Sequence, residues 1–206
     1  MSTIQHAQIP FIQSRTHQNL ISAWAGESQA RRQYLDAAER CENAQLHVIA
    51  HAFRFTAAQE KEHASIYRGL LTALGGRVQE ESAASVMLPD EPLNILRAVI
   101  QSEHDEWDKL YPAYARIAEE EGYPRVATAF TRIAETEQLH AQRFLQFAKA
   151  LADGTLFRNA SRVGWLCLPC GHLHYGSEAP AHCSTCGRSR GHFIRSDFHP
   201  FTVGEE

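Results

Sequence analysis

The chain has 206 residues, 44% hydrophobic and 21% charged, with a net charge of −4. That length accommodates one domain of about 150 residues plus a small module. The charge leaves no basic footprint for nucleic acid, and no apolar run approaches the roughly 20 residues of a membrane span, so neither partner is expected. Residues Met1 to Ser14 lack a signal peptide's basic start and apolar core. Five cysteines, set as two C-x-x-C pairs and one stray, indicate metal chemistry in a reducing compartment and a cytoplasmic protein.

Four segments carry apolar residues at alternating steps of three and four, the seam of a bundle helix. The first helix is expected over about Thr16 to Cys41, with Leu20, Ala23, Glu27, Ala30, Tyr34, Ala37 and Cys41 on its stripe. The second is expected over about Gln45 to Leu74, with Ile49, Phe53, Thr56, Glu60, His63, Tyr67, Leu70 and Leu74. The third runs from about Pro92 to Glu121 through Leu96, Val99, Glu103, Glu106, Leu110, Ala113 and Ile117. The fourth runs from about Arg125 to Asp153 through Val126, Phe130, Ile133, Glu137, His140, Phe144, Phe147 and Leu151.

Gly75-Gly76, Pro89 to Pro92 and Gly122-Tyr-Pro124 mark the breaks. Short links make the first and second helices, and the third and fourth, antiparallel neighbours. The stretch from Gly75 to Glu91 can reach about 55 Å, longer than a 30-residue helix of about 45 Å. It can therefore cross the whole bundle. The expectation is an all-α fold, a ferritin-like four-helix bundle with one long crossover, over residues 1–154. Residues 155–206 lose helical periodicity and form a small four-cysteine metal-binding module, since so short a tail needs a staple.

Glu27, Glu60, Glu103 and Glu137 sit on the apolar seams near mid-helix. A buried carboxylate must be neutralised, paired or metal-bound, and too few basic residues share the seams to pair four. Glu60 with His63 and Glu137 with His140 are E-x-x-H pairs, whose i and i+3 side chains share one helical face. Two such helices plus one carboxylate from each of the others compose a two-metal carboxylate site. Its donors suit iron or manganese, with zinc a third candidate. Glu106 stands three residues after Glu103, where the first half of the chain has Ala30, and offers a seventh ligand. Tyr34, Tyr67 and Tyr111 lie one or two turns from these residues, as packing or catalytic groups. His104 should point off the seam, His47 and His51 are filler, and Cys41 is a buried small hydrophobe.

Cys167-Leu-Pro-Cys170-Gly171 and Cys183-Ser-Thr-Cys186-Gly187 are two knuckles that together make a closed site of four thiolates for zinc or a single iron. Trp165, Tyr175, Phe193 and Phe198 are the expected apolar shell. His172, His174, His182, His192 and His199 are expected to be non-ligands.

From Thr16 to Phe201 the chain resembles the rubrerythrin family. The resemblance rests on Gly26-Glu-Ser-Gln-Ala-Arg31 with Tyr34, Glu60-Lys-Glu-His63-Ala64, and Glu103-His-Asp-Glu106 followed by Tyr111-Pro112. It continues through Ala115-Arg-Ile-Ala-Glu-Glu-Glu-Gly-Tyr123, Glu137-Gln-Leu-His140 with Arg143-Phe144, and the paired knuckles. It implies that Glu60 and Glu137 bridge two irons, that Glu27 is terminal on one, and that Glu103 and His140 serve the other. His63 and Glu106 become alternative ligands of the first iron, which moves with redox state, and Tyr34 and Tyr111 hydrogen-bond ligand carboxylates. Cys167, Cys170, Cys183 and Cys186 hold a rubredoxin-type iron, with zinc as the alternative there.

The family implies reduction of hydrogen peroxide to water in oxidative-stress defence, so the resemblance gives Glu106, His63, Tyr34 and Tyr111 catalytic parts. Electrons would come from NAD(P)H through a separate reductase, or from rubredoxin, and pass through the thiolate-bound iron. It also implies a homodimer or larger homo-oligomer. The second knuckle departs from the usual pattern, with Ser184 in place of proline, while the first carries Pro169. A ferritin-like ferroxidase and a zinc-ribbon structural or sensor protein are the competing readings.

Overall fold

The structure, a computed structural model, describes residues 10–77 and 87–198. Its helices are α1 (Arg15–Asn43), α2 (His47–Ala73), α3 (Pro92–Asp105), α4 (Tyr111–Glu120) and α5 (Pro124–Ala152). A small sheet follows, of strands β1 (Arg158–Cys167), β2 (Leu173–Glu178) and β3 (Phe193–Arg195) in the order β2-β1-β3, both pairings antiparallel.

Contacts between helices fix the topology. Phe53 stacks on Phe144 and Tyr67 meets Phe130, so α2 and α5 are antiparallel. The Glu121 carboxylate, at the end of α4, accepts from the Arg15 and Thr16 backbone N–H groups and the Thr16 hydroxyl at the start of α1. It caps free amides at the positive end of the α1 dipole and sets α1 antiparallel to the α3–α4 rod. It follows that α2 and the α3–α4 rod point the same way, so the chain between them must travel from one end of the bundle to the other. Arg40 near the end of α1, bonded to Asp90 just before α3, places that return. Residues 78–86 of the crossover lie outside the described residues.

The seams bury as phased in α1, α2 and α5, apart from their margins: Ala30, Leu70 and Leu151 are half-buried and Leu74 is exposed. The third helix differs. It is interrupted at Glu106–Leu110 by a π-helical turn, in which the Tyr111 N–H reaches the Glu106 carbonyl five residues back. Pro112 supplies the reason: in an unbroken helix its ring would strike the carbonyl four residues earlier, and one extra residue relieves the clash. Phase follows. At about 100° per residue, Glu103 and Tyr111 are about 80° out of register across eight residues. With one residue looped out they come within about 20°. Tyr111 is accordingly buried and Leu110, expected on the seam, is exposed.

Two apolar clusters bracket the middle of the bundle. One holds Tyr34, Phe53, Phe144, Ile49 and Leu96, and the other Tyr67, Tyr111, Phe130, Leu20 and Leu71. The carboxylate seam lies between them, closed from water above and below. The sheet module joins the first cluster through Ile194, Leu166 and Leu168. At that end the His47 and His192 rings stack 3.8 Å apart. Gly191 comes so close to the α1–α2 link that a Cβ there would stand 1.9 Å from the Gln45 carbonyl oxygen.

Candidate metal centres

Each ligand helix presents its acid at the same height, and the four glutamates are at most 1% exposed. Two groups of converging donor atoms result. Glu27, Glu60, His63 and Glu137 form one, and Glu60, Glu103, Glu137 and His140 form the other, each with its donors within 4.8 Å of one another. Glu60 and Glu137 belong to both groups, so they are the shared carboxylates of a two-metal arrangement.

Convergence is tighter than pairing. His140 Nδ1 stands 2.6 Å from Glu137 Oε2 and 2.9 Å from Glu60 Oε1. Yet His140 Nδ1, Glu60 Oε1 and both Glu137 oxygens are buried with no hydrogen-bond partner. Their lone pairs are aimed past each other, as ligands around a common centre are. Orphaned buried acceptors of this kind cost about 1–3 kcal/mol apiece, and a cation at the centre of each group removes that cost. The carboxylate and imidazole donors therefore fit a pair of iron ions.

Burial pushes the Glu27 and Glu103 carboxyls well above their ordinary range, and the neighbouring carboxylates add to it. Burial would raise Glu60, but the His140 and His63 rings beside it hold it down, to about 2. Burial would lower His63, but Glu137, Glu27 and Glu60 around it raise it to about 12. The tyrosines are pinned as donors, since burial and nearby carboxylates raise both hydroxyls. Tyr34 donates to Glu103 Oε1, and Tyr111 to Glu27 Oε1 at 2.5 Å. Each therefore steadies one unshared carboxylate. Tyr67 is buried against Tyr111 and Phe130 and serves the core.

Glu106 belongs to neither group of donors in this structure. It is half-buried on the π-helical turn, and its charge acts on Glu27, Glu60 and Glu137. Burial and the Glu137 and Glu60 carboxylates lift it to about 8. His63 occupies the inward place, with Nδ1 2.9 Å from Glu60 and 3.0 Å from Glu137.

The second centre follows from its knuckles. The Gly171 N–H bonds the Cys167 carbonyl and the Gly187 N–H that of Cys183, with both glycines at φ +73°. A side chain is strained in that left-handed conformation. Cys167 Sγ lies 3.6 Å from Cys186 Sγ, and Cys170 Sγ 3.6 Å from Cys183 Sγ. Metal–sulfur bonds of about 2.3 Å in a tetrahedron require sulfurs about 3.8 Å apart. Burial would raise the Cys183 thiol, but the Cys186 and Thr185 amides bring it down to about 6, the direction a ligand thiolate needs.

Trp165 and Phe193 form the buried shell of this centre, whereas Tyr175 and Phe198 are exposed, the latter beneath the Arg195 guanidinium. Ser184 meets His172 across the two knuckles at 3.1 Å. His199 lies outside the described residues. Cys41 is buried at the end of α1, where burial raises its thiol to about 12.

A sequence model of the rubrerythrin family matches residues 18–148, and one of the rubredoxin-like domain of rubrerythrins matches residues 165–194. Rubrerythrins from Clostridium perfringens and Nitratidesulfovibrio vulgaris are each 38% identical over 182 residues, covering 87% of this chain and 93% of theirs. The chain belongs to the rubrerythrin family. Among solved structures, fully reduced nigerythrin aligns with a TM-score of 0.63 at 27% identity, covering 95% of this chain and 96% of its own. A Desulfovibrio desulfuricans bacterioferritin aligns with a TM-score of 0.65 at 20% identity and shares the fold of the bundle. Membership makes the bundle cluster a di-iron site and the knuckles a rubredoxin-like iron site, in a redox protein of oxidative stress.

Gln59 and Arg143 were not expected at the site. His140 Nε2 meets Gln59 Oε1 at 3.1 Å, and Arg143 Nη1 reaches the same oxygen at 3.3 Å. The available signal was an arginine three residues after a ligand histidine, on the same helical face.

Proposed function

We propose that this chain reduces hydrogen peroxide to water at the di-iron site, with electrons from an NAD(P)H-dependent reductase or a rubredoxin relayed through the four-cysteine iron. The observation that carries this reading is Glu106, a spare carboxylate beside one group of ligands while His63 completes it. A storage site needs no spare ligand, and no thiolate centre. In the proposed assignment Glu27, Glu60, His63 and Glu137 hold one iron and Glu60, Glu103, Glu137 and His140 the other. His63 and Glu106 would be alternative ligands of the first.

A reduced di-iron pair held there would supply the two electrons that, with two protons, convert hydrogen peroxide to two waters. The chain's own residues do the rest. Tyr34 and Tyr111 keep their protons and hold Glu103 and Glu27 by donation, so both unshared carboxylates keep their aim. The aromatic clusters on either side exclude water, which strengthens every charge interaction within. Glu106 would offer the Glu27–His63 group of ligands a fourth carboxylate, which a more positive charge on the metal would favour.

Residues 1–154 would act as the catalytic unit and 155–206 as the electron-transfer unit. The module packs at the α1–α2 link, 16 residues beyond Glu27 along α1, or about 24 Å at 1.5 Å per residue. That separation favours delivery to a neighbouring copy's di-iron site within a homodimer or larger assembly. Among the described residues no helix is long and apolar enough to cross a membrane, and we place the protein in the cytoplasm. The test is Glu106→Ala, expected to slow peroxide turnover at least tenfold while two bundle metals remain bound. Loss of both metals would make Glu106 part of the scaffold and defeat the exchange.

A further inference from the structure

The two histidine ligands are not held alike. His63 turns Nδ1 to the carboxylates, and among the described residues nothing forms a hydrogen bond with its Nε2. His140 also turns Nδ1 inward, but its Nε2 is tied to Gln59, and Gln59 to Arg143. The chain of donors has a single consistent sense. Arginine can only donate, so the Gln59 atom it meets is the carbonyl oxygen. That oxygen has two lone pairs, one for Arg143 and one for His140, so His140 Nε2 carries the proton. In the neutral imidazole that binds a metal, Nδ1 is then the lone pair left to face it.

Arg143 is itself fixed from three sides. Its Nη1 donates at 2.8 Å to the Thr56 hydroxyl, which donates in turn to the Ala52 carbonyl. Its guanidinium lies 5.0 Å from the centre of the Phe55 ring. Gln59 and Arg143 are both partly buried, on α2 and α5, so the tie bridges two ligand helices.

From this asymmetry we infer that Gln59, oriented by Arg143, is a positioning residue that fixes the tautomer and the aim of His140. It would leave the Glu27–His63 side as the one free to exchange a ligand. A histidine whose outer nitrogen is bonded is oriented and made more basic, and losing such a partner costs about 10–100-fold in metal affinity. His63 has no such anchor and can leave its place to Glu106 without breaking an outer bond. The inference rests on the di-iron site and not on its substrate, so it can fail while peroxide turnover stands, and the reverse.

The experiment uses the full chain. In metal-free wild-type protein labelled with 15N, the His140 ring should show a slowly exchanging Nε2–H proton, and His63 should not. Anaerobic Co(II) titration against a competing chelator then reads the sites separately. Gln59→Leu is expected to lose the protected proton and to weaken one bundle site about 10–100-fold, leaving the other unchanged. Anomalous diffraction at one equivalent of Co(II) should place the retained ion on the Glu27–His63 side. Gln59→Glu, which keeps an acceptor facing His140 and Arg143, should restore the tight site. Equal weakening of both sites, no weakening of either, or a wild-type His140 without a proton on Nε2 would overturn the inference.

Discussion

The π-helical turn at Glu106–Leu110 makes an unusual demand on deletions. Removing one residue from the middle of a bundle helix ordinarily turns everything beyond it by about 100°, which unfolds the seam. Here the segment already holds one residue too many. Deleting Asp108, which is exposed, should convert the turn to ordinary α-helix and leave Glu103 and Tyr111 within about 20° of a common face.

The residual cost comes from Pro112, which in a regular helix loses a hydrogen bond and crowds the preceding turn, at about 3 kcal/mol. At about 2–4 °C per kcal/mol for a chain of this size, the deletion alone should lower Tm by about 6–12 °C. Combined with Pro112→Ala it should cost under about 1 kcal/mol, since the clash is gone. Deleting Glu135 from α5, also exposed, is the control. It swings Glu137, His140, Phe144 and Phe147 off the seam. Phe144 and Phe147 at about 3–5 kcal/mol each make a loss of about 6–10 kcal/mol, comparable with the 5–15 kcal/mol that holds a domain. Thermal unfolding by circular dichroism, with metal content of the surviving variants, decides the matter. If the Asp108 deletion with Pro112→Ala is as damaging as the Glu135 deletion, the account of the turn is wrong.

Other outcomes follow from the same contacts. Metal-free protein should lose stability as pH rises from about 6.5 to 8. Glu27, Glu103 and Glu106 hold protons in the folded state above the ordinary carboxylate value of 4.5. His63 likewise binds its proton more tightly folded than its ordinary 6.5. Each raised group stabilises fully below its unfolded pKa and loses that contribution as pH climbs towards the folded value. Glu60, held at about 2, adds a constant amount throughout this window. Loaded protein should gain increasing protection from its metals over the same range, because ligands must be deprotonated to bind, and paired melting curves would reveal an opposite trend. Gly191→Ala should drive the module off the α1–α2 link, because its Cβ would stand 1.9 Å from the Gln45 carbonyl oxygen. Limited proteolysis should then cut the tail at least several-fold faster, with four-cysteine metal content unchanged.

How much of this was legible in the sequence depended on the range of the interaction. The E-x-x-H pairs lie within one turn, and helical period alone puts them on a buried face. The knuckles are equally local, since C-x-x-C followed by glycine encodes its own bend. The π-helical turn escaped because Glu103, Glu106, Leu110, Ala113 and Ile117 form an acceptable stripe by themselves. Only Pro112 hinted that the backbone would break it. Tyr175 and Phe198 read as shell residues by composition, yet the sheet is so small that Trp165 and Phe193 fill its inner side. Gln59 stood next to a ligand and off the seam, and its partners lie 81 and 84 residues away. Such pairings, like the docking of Gly191 on Gln45, depend on how elements meet and leave no periodic trace.

The central claim is that the reduced di-iron site is made for peroxide. Stopped-flow mixing of the anaerobically reduced, iron-loaded protein with hydrogen peroxide and, separately, with dioxygen tests it most directly. Faster reoxidation of the di-iron and thiolate-iron signals by peroxide is the expected result. Reoxidation by peroxide no faster than by dioxygen would contradict it.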